Sequence, residues 1–310
     1  MSDYLRPPFL KPGDKVLILS PASRINPTYV KKAMERLESW GLKTELSENA
    51  LGAFGRYSGT QEDRAKDLQQ ALDREDVQAI LCSRGGYGVV HLLEKISYEG
   101  FRKHPKWILG YSDITALHMA TLREGFMSLH SLMAKHLQEA PLEDYPVACL
   151  KSILFGNMPE KGLSYVAAGH PLNRAGKAQG TLLGGNLCVW NGLRGTPWDF
   201  DYSDSILFIE DIGERPHTIE RMVWNLRLSG ILSKTKGVII GQMTDMKDEM
   251  ELGKPLYEAL ADIILPASAG PVCFGFPVGH VNENLPLVEG ARVCLMVSNE
   301  NTELNFLNLL

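Results

Sequence analysis

The run Leu109-Gly110-Tyr111-Ser112-Asp113-Ile114-Thr115 reads as a strand passing through a sharp turn into a helix. A serine on such a turn is lifted out of the sheet at its carboxyl edge, with its hydroxyl beside a helix N-terminus, as in a nucleophile elbow. The match is partial: G-x-S is present, but Ile114 stands in place of the second glycine. Ser112 or Asp113 acting only as a helix cap fits the same residues. One strand-helix unit earlier, another apolar run ends in Cys82-Ser83-Arg84-Gly85-Gly86-Tyr87-Gly88. Its glycines let backbone amides approach a ligand closely. The spacings of a dinucleotide fingerprint and of a Walker loop are both absent. An amide of Gly85 or Gly86, with that of Asp113, would supply the two donors of an oxyanion hole. A plain turn is the alternative.

A serine nucleophile needs a base, and eight histidines compete. His118, His130 and His136 fall on or near helices, His91 and His104 on helix and loop surfaces, and His170 in a proline-rich stretch. His217 starts a helix. His280 differs: it lies in Gly275-Phe276-Pro277-Val278-Gly279-His280-Val281-Asn282, a loop between apolar segments, where catalytic bases tend to sit. The base in turn needs an orienting carboxylate. Ser205–Ile209 reads as a strand that ends in Glu210-Asp211, which is either a carboxylate delivered to a site or a solvated acidic turn. The order Ser112, Glu210, His280 is that of α/β-hydrolases, although order alone does not make a triad. Arg84, beside the glycine loop, suits either a bidentate contact to a free carboxylate or an ion pair within the fold.

The elements that must carry these residues alternate in the first half. Lys15–Ser23 reads as a buried strand running into a loop, and Asn26-Pro27 opens a helix whose stripe is Val30, Ala33, Met34, Leu37 and Trp40. Leu42–Leu46 is a second strand, and Thr60 with Asp63 forms a capping box before the next helix. Val77–Ser83 and Trp107–Asp113 are further strands, with helices over Val89–Ile96 and Ile114–Leu122. This rhythm indicates a parallel sheet covered on both faces. Prolines and glycines between Pro141 and Asn173 indicate a linker. The second half has short strands at Gly180–Leu183, Ser205–Ile209, Gly237–Gly241 and Ala291–Val297, and one periodic helix over His217–Ser229. The expectation is an N-terminal α/β domain over 1–155 carrying Ser112 and a linker over 156–175. A smaller β-rich domain over 176–310, mixed α/β or partly barrel-like, carries Glu210 and His280.

Composition narrows the classes. The 310 residues carry 32 basic and 37 acidic side chains, for a net charge of −5, with no basic run, so nucleic-acid binding is not expected. Five scattered cysteines form no CxxC pair, which argues against a zinc ribbon or a disulfide framework and for reduced thiols. The N-terminus, MSDYLRPPFLKPGDKV, has no apolar signal region, and no apolar run nears the ~18 residues of a spanning helix. A soluble, intracellular chain with no membrane partner is expected.

Taken together these residues resemble the LD-carboxypeptidase family of serine peptidases, which includes muramoyltetrapeptide carboxypeptidases and microcin-immunity peptidases. The resemblance runs from Lys11-Pro12-Gly13-Asp14 and Ser20-Pro21-Ala22-Ser23 through Ser83–Gly88 and Gly110–Thr115. It continues at Gly184-Gly185-Asn186-Leu187, Phe208–Asp211 through Glu220-Arg221, and Gly279-His280. It implies a doubly wound, flavodoxin-like N-terminal sheet and a β-rich C-terminal domain, with the site in the cleft between them. It also implies a cytoplasmic homodimer that needs no metal or cofactor. Carried over by motif, Ser112 is the nucleophile, His280 the base and Glu210 its orienting carboxylate, with Glu214 as the competing one. Gly86 and Asp113 then hold the oxyanion, and Arg84 and Gly85 contact the substrate. The implied reaction is cleavage of murein tetrapeptide before its terminal D-Ala in peptidoglycan recycling, or hydrolysis of a microcin-like adduct. An α/β-hydrolase esterase, lacking here the second elbow glycine and the HGGG-type loop, and a non-catalytic two-lobe binding protein are the rival readings.

Overall fold

A computed structural model describes residues 4–141, 144–160, 162–248 and 250–309. Of the N-terminal stretch read for a signal segment, Met1–Asp3 lie outside the described residues. The backbone divides into two compact units: Ser2–Asn157 with Leu285–Val288, and Met158–Asn284 with Glu289–Leu310.

In chain order the first unit comprises β1 (Lys15–Leu19), α1 (Pro27–Ser39), β2 (Lys43–Leu46), α2 (Gln61–Asp73), β3 (Ala79–Cys82), α3 (Glu99–Lys103), β4 (Trp107–Gly110), α4 (Thr115–Arg123), β5 (Ser128–His130), α5 (Ala134–Glu139) and α6 (Tyr145–Phe155). The second comprises β6 (Ser164–Ala168), β7 (Gly176–Asn186), α7 (Leu187–Gly192), β8 (Ser205–Ile212), α8 (Pro216–Leu228), α9 (Ile231–Lys234), β9 (Gly237–Thr244), α10 (Leu256–Ala267), β10 (Val272–Phe274), β12 (Arg292–Val297) and β13 (Asn301–Phe306). Between β10 and β12, β11 (Leu287–Glu289) returns the chain to the first sheet.

The strands β1, β3 and β4 are apolar and buried nearly throughout, as strands covered on both faces must be. They pair in parallel, β2 with β1, β1 with β3, β3 with β4 and β4 with β5. Among the described residues the sheet runs β11-β5-β4-β3-β1-β2, and its 2-1-3-4-5 portion is the expected flavodoxin-like order. In that order the winding reverses between β1 and β3, and ligands bind at the carboxyl ends of the strands flanking this point. The loops leaving those ends are residues 20–26 and 83–88, and β4 delivers the turn with Ser112 beside them.

Local chemistry explains the helix starts. The Asn26 side chain accepts the Thr28 amide at 3.0 Å, with Pro27 in the first turn, and Thr60 and Asp63 cap α2 reciprocally. The helix expected over Val89–Ile96 is instead two 3₁₀ turns, Val89–His91 and Leu93–Lys95. The Gly88 carbonyl accepts the His91 amide and also an Arg64 Nη1–H at 2.8 Å, and the Val89 amide donates to the Asp113 carboxylate at 2.9 Å. These tertiary bonds hold the start of the segment in the tighter turn.

The second unit's sheet runs β10-β9-β8-β7-β12-β13-β6 among the described residues. The strands β7 to β10 are parallel and the other pairs antiparallel, which makes a mixed sheet. Residues 164–168, within the stretch read as linker, are its edge strand β6. Tyr165 is buried there while its chain neighbours Ser164 and Val166 are exposed, so no continuous apolar run marks the strand. A second difference bears on the site. The strand through Ser205–Ile209 does not end at Glu210 but continues to Ile212, with a register shift between Ile209 and Asp211. Glu210 and Asp211 are therefore buried strand residues, not a solvated turn.

Candidate active site

In the first unit, Ser112 opens a 3₁₀ turn, Ser112–Ile114, that leads into α4. Its φ is +64°, a left-handed conformation that costs a non-glycine residue about 1–3 kcal/mol and is kept only where its surroundings impose it. Ser112 and Asp113 head the turn, so their amides have no partner within it. The glycine loop packs directly on this serine. A Cβ on Gly85 would lie 2.9 Å from Ser112 Cβ and 3.1 Å from its Oγ, and one on Gly86 would lie 2.3 Å from Ser23 Oγ. Only glycines allow the loop this close approach. Gly85 thus packs on Ser112, with Gly86 and Asp113 next to them in the chain. The Asp113 side chain is buried and accepts the Val89 amide. Burial raises its carboxyl above the usual carboxylate range, and the bond from the Val89 amide partly offsets the rise. Arg84 is exposed, and its Nη1 donates to the Arg24 carbonyl at 3.0 Å. The ion pair considered for it is not formed among the described residues.

Beneath the turn, the fully buried His118 donates from Nε2 to the Gly110 carbonyl at 2.8 Å, and its Nδ1 accepts the Ser128 hydroxyl at 2.6 Å. Burial drives this imidazole down to about 4, against an opposing bond to Gly110. In the unfolded chain it titrates near 6.5, so the unfolded state binds more protons between those values. Stability should therefore fall by up to about 3 kcal/mol as pH drops from 6.5 to 4. The check is chemical denaturation of wild type and His118→Gln across that window. Parallel curves would remove His118 as the source.

In the second unit, His280 Nδ1 lies 2.7 Å from Glu210 Oε2. Glu210 is fully buried and the His280 side chain is 13% exposed. With a carboxylate at Nδ1, that nitrogen carries the proton and Nε2 is the basic one. The glycine before the histidine is obligatory: Gly279 has φ +124°, and a Cβ there would lie 2.9 Å from Glu210 Oε2. The loop is fixed from below by Asn284, fully buried, whose Oδ1 accepts the Gly279 amide at 2.9 Å. It is Glu210, not Glu214, whose carboxylate bonds His280.

The other histidines have different partners. His217 Nδ1 lies 2.9 Å from Glu251, His104 pairs with Glu75, and His91 Nδ1 is 3.4 Å from Arg64. Two residues that sequence reasoning passed over belong to the His280 side. Asn284 is one, and nothing in the sequence sets it apart from Asn282, two residues earlier. Asp211 is the other: burial first, and then the neighbouring Glu210 carboxylate, push its carboxyl up to about 7. It accepts the Cys188 amide at 2.8 Å and the Asn186 side chain at 3.2 Å, which ties β8 to the start of α7. Among the described residues no group of three or more His, Cys, Asp or Glu side chains is placed to hold a metal ion, and no helix is long and apolar enough to cross a membrane.

Comparison with known proteins adds to this geometry. Residues 16–131 match the family model described as the LD-carboxypeptidase N-terminal domain, and residues 179–295 match the LD-carboxypeptidase C-terminal domain. The chain is 32% identical over 297 residues to a Bacillus subtilis protein named "Probable murein peptide carboxypeptidase", covering 94% of this chain and 91% of that one. It is 30% identical over 281 residues to the murein tetrapeptide carboxypeptidase of Pseudomonas aeruginosa, covering 87% and 89%. The crystal structure of muramoyltetrapeptide carboxypeptidase from Oxalobacter formigenes superposes with a TM-score of 0.84 at 27% identity, covering 94% of this chain and 98% of that one.

Proposed function

The chain belongs to the LD-carboxypeptidase family and is a serine carboxypeptidase, and from that premise we propose that it cleaves murein tetrapeptide between the L-centre of its diamino acid and the terminal D-Ala. The observation that carries this reading is the 2.7 Å contact between His280 Nδ1 and the buried Glu210 carboxylate, in a chain that also holds Ser112 at φ +64°. In this mechanism Glu210 fixes the tautomer, so His280 Nε2 takes the proton as Ser112 Oγ attacks the carbonyl carbon. The Gly86 and Asp113 amides receive the developing oxyanion, and losing one such donor costs about 3 kcal/mol of transition-state stabilisation. His280 then protonates the leaving amine of D-Ala, and a water activated by the same base releases the acyl group from Ser112. Arg84, turned by its bond to Arg24 and unpaired with any described carboxylate, takes the free α-carboxylate that defines a carboxypeptidase substrate. Gly85 gives the loop its close approach to the serine. The family resemblance further supports a cytoplasmic homodimer acting in peptidoglycan recycling.

The test is mass spectrometry of a murein tetrapeptide digest, run with free and with amidated C-termini. Loss of one terminal D-Ala from the free peptide, and little cleavage of the amidated one, is the expected result. If the tetrapeptide stays intact while an aminoacyl sulfamoyl nucleotide is hydrolysed, the substrate reading is overturned in favour of the microcin-immunity type.

A further inference from the structure

Arg64 is an anomaly in α2. It lies in phase with the buried Leu68 and Ala71, four and seven residues on, and is itself only 2% exposed. No carboxylate of the described residues comes within ion-pair distance of it, and its Nε has no hydrogen-bond partner among them. A buried guanidinium without a direct ion pair is costly, and an apolar residue would fill the same stripe. Besides the His91 ring nitrogen, what the side chain holds is loop backbone. Its Nη1 donates to the Pro21 carbonyl at 2.7 Å and to the Gly88 carbonyl at 2.8 Å, and its head stacks over Tyr57 at 4.8 Å. The buried Asp113 carboxylate grips the same loop from the other side. It accepts the Val89 amide at 2.9 Å. The Gly88–Val89 peptide unit is therefore held at its carbonyl by Arg64 and at its amide by Asp113, the residue next to Ser112. The two loops that Arg64 joins, through Pro21 and Gly88, are those leaving the carboxyl ends of β1 and β3.

We propose that Arg64 is a positioning residue for the oxyanion hole: with the Asp113 carboxylate it clamps the Gly85–Gly88 loop so that the Gly86 amide stays aimed beside Ser112. The inference rests on the reading of Ser112 as nucleophile and of the Gly86 and Asp113 amides as oxyanion donors. Arg64 touches no reacting atom, and its effect passes through the loop.

Two variants perturb the clamp from opposite sides. Arg64→Lys keeps the charge but loses the planar fork, and Gly88→Ala places a Cβ 2.8 Å from Arg64 Nη1. Because a donor is misaimed and not removed, each should lower kcat by roughly 10- to 100-fold, below the loss seen when a donor is deleted, with KM nearly unchanged. Each should also weaken, by a similar factor, the binding of a peptide boronic acid that forms a tetrahedral adduct on the serine. Thermal melts and circular dichroism establish that the variants are folded. Ser112→Ala is the control. If it keeps activity, the nucleophile reading falls. If it is inactive while folded Arg64→Lys and Gly88→Ala retain wild-type kcat and boronate affinity, the clamp alone is wrong. A raised KM at unchanged kcat overturns the clamp, as does failure of both variants to fold, since Arg64 would then serve binding or folding and not aim.

Discussion

Ser112→Ala is expected to lower kcat on the tetrapeptide by on the order of 10⁴-fold or more, while leaving KM and the melting temperature close to wild type. The size follows from the role: without Oγ there is no acyl-enzyme, and what is left is binding and the amide donors acting on water. The stability expectation follows from the backbone. Alanine and serine carry the same left-handed strain at φ +64°, and the turn is held by groups other than the hydroxyl, chiefly His118 at the Gly110 carbonyl and the Asp113 carboxylate at the Val89 amide. The packing of Gly85 is against Ser112 Cβ, which alanine retains. Steady-state kinetics with melting curves measure both. Activity within tenfold of wild type would exclude Ser112 as the nucleophile. A large loss of stability would mean that the hydroxyl holds the turn, and would make the kinetic loss uninformative.

The surroundings of Ser112, the proposed nucleophile, are legible in the sequence because they are local. Ser112 and Asp113 share one turn, the Gly85–Gly86 loop leaves the strand adjacent to it, and β1, β3 and β4 are apolar runs of a kind that only a doubly covered parallel sheet makes. The proposed base and its carboxylate are legible only as candidates. Glu210 and His280 are 70 positions apart, and what joins them is the path of β8 and the Gly279 loop, neither of which has a sequence period. The burial of Glu210 is hidden for a related reason. A register shift places two adjacent carboxylates inside a strand, and alternation of polar and apolar residues cannot foretell that. The strands β6 and β11 escape because an edge strand with one buried face, and a strand of three residues, leave almost no pattern. Arg64 is hidden in plain view: a charged residue in the apolar phase of a helix is the signal, and it is visible only once the stripe is drawn through it.

Glu210→Gln should lower kcat by roughly 10⁴-fold with little change in KM, because it keeps the shape of the side chain and removes what orients the base. The carboxylate accepts from His280 Nδ1 at 2.7 Å in a fully buried position, so the imidazole has one tautomer available, with its lone pair on Nε2. An amide there presents either its carbonyl or its NH₂ to Nδ1. The first arrangement keeps the tautomer but loses the charge that stabilises the imidazolium formed as Ser112 gives up its proton. The second reverses the tautomer and leaves a proton on the nitrogen that must accept one. Either way the binding of substrate is untouched, which is why the loss belongs to kcat. Glu214→Gln, at the carboxylate not bonded to His280, should leave kcat little changed. The pair of variants therefore assigns the orienting role between two residues four apart. A spectroscopic readout separates the electrostatic effect from simple damage. The Glu210 charge helps to hold the Asp211 carboxyl up near 7, so its removal should move that titration downward, visible by carboxyl carbon NMR. Loss of activity with the Asp211 titration unmoved would point to a rearranged β8 bulge, whereas near-normal kcat in Glu210→Gln would take Glu210 out of the mechanism.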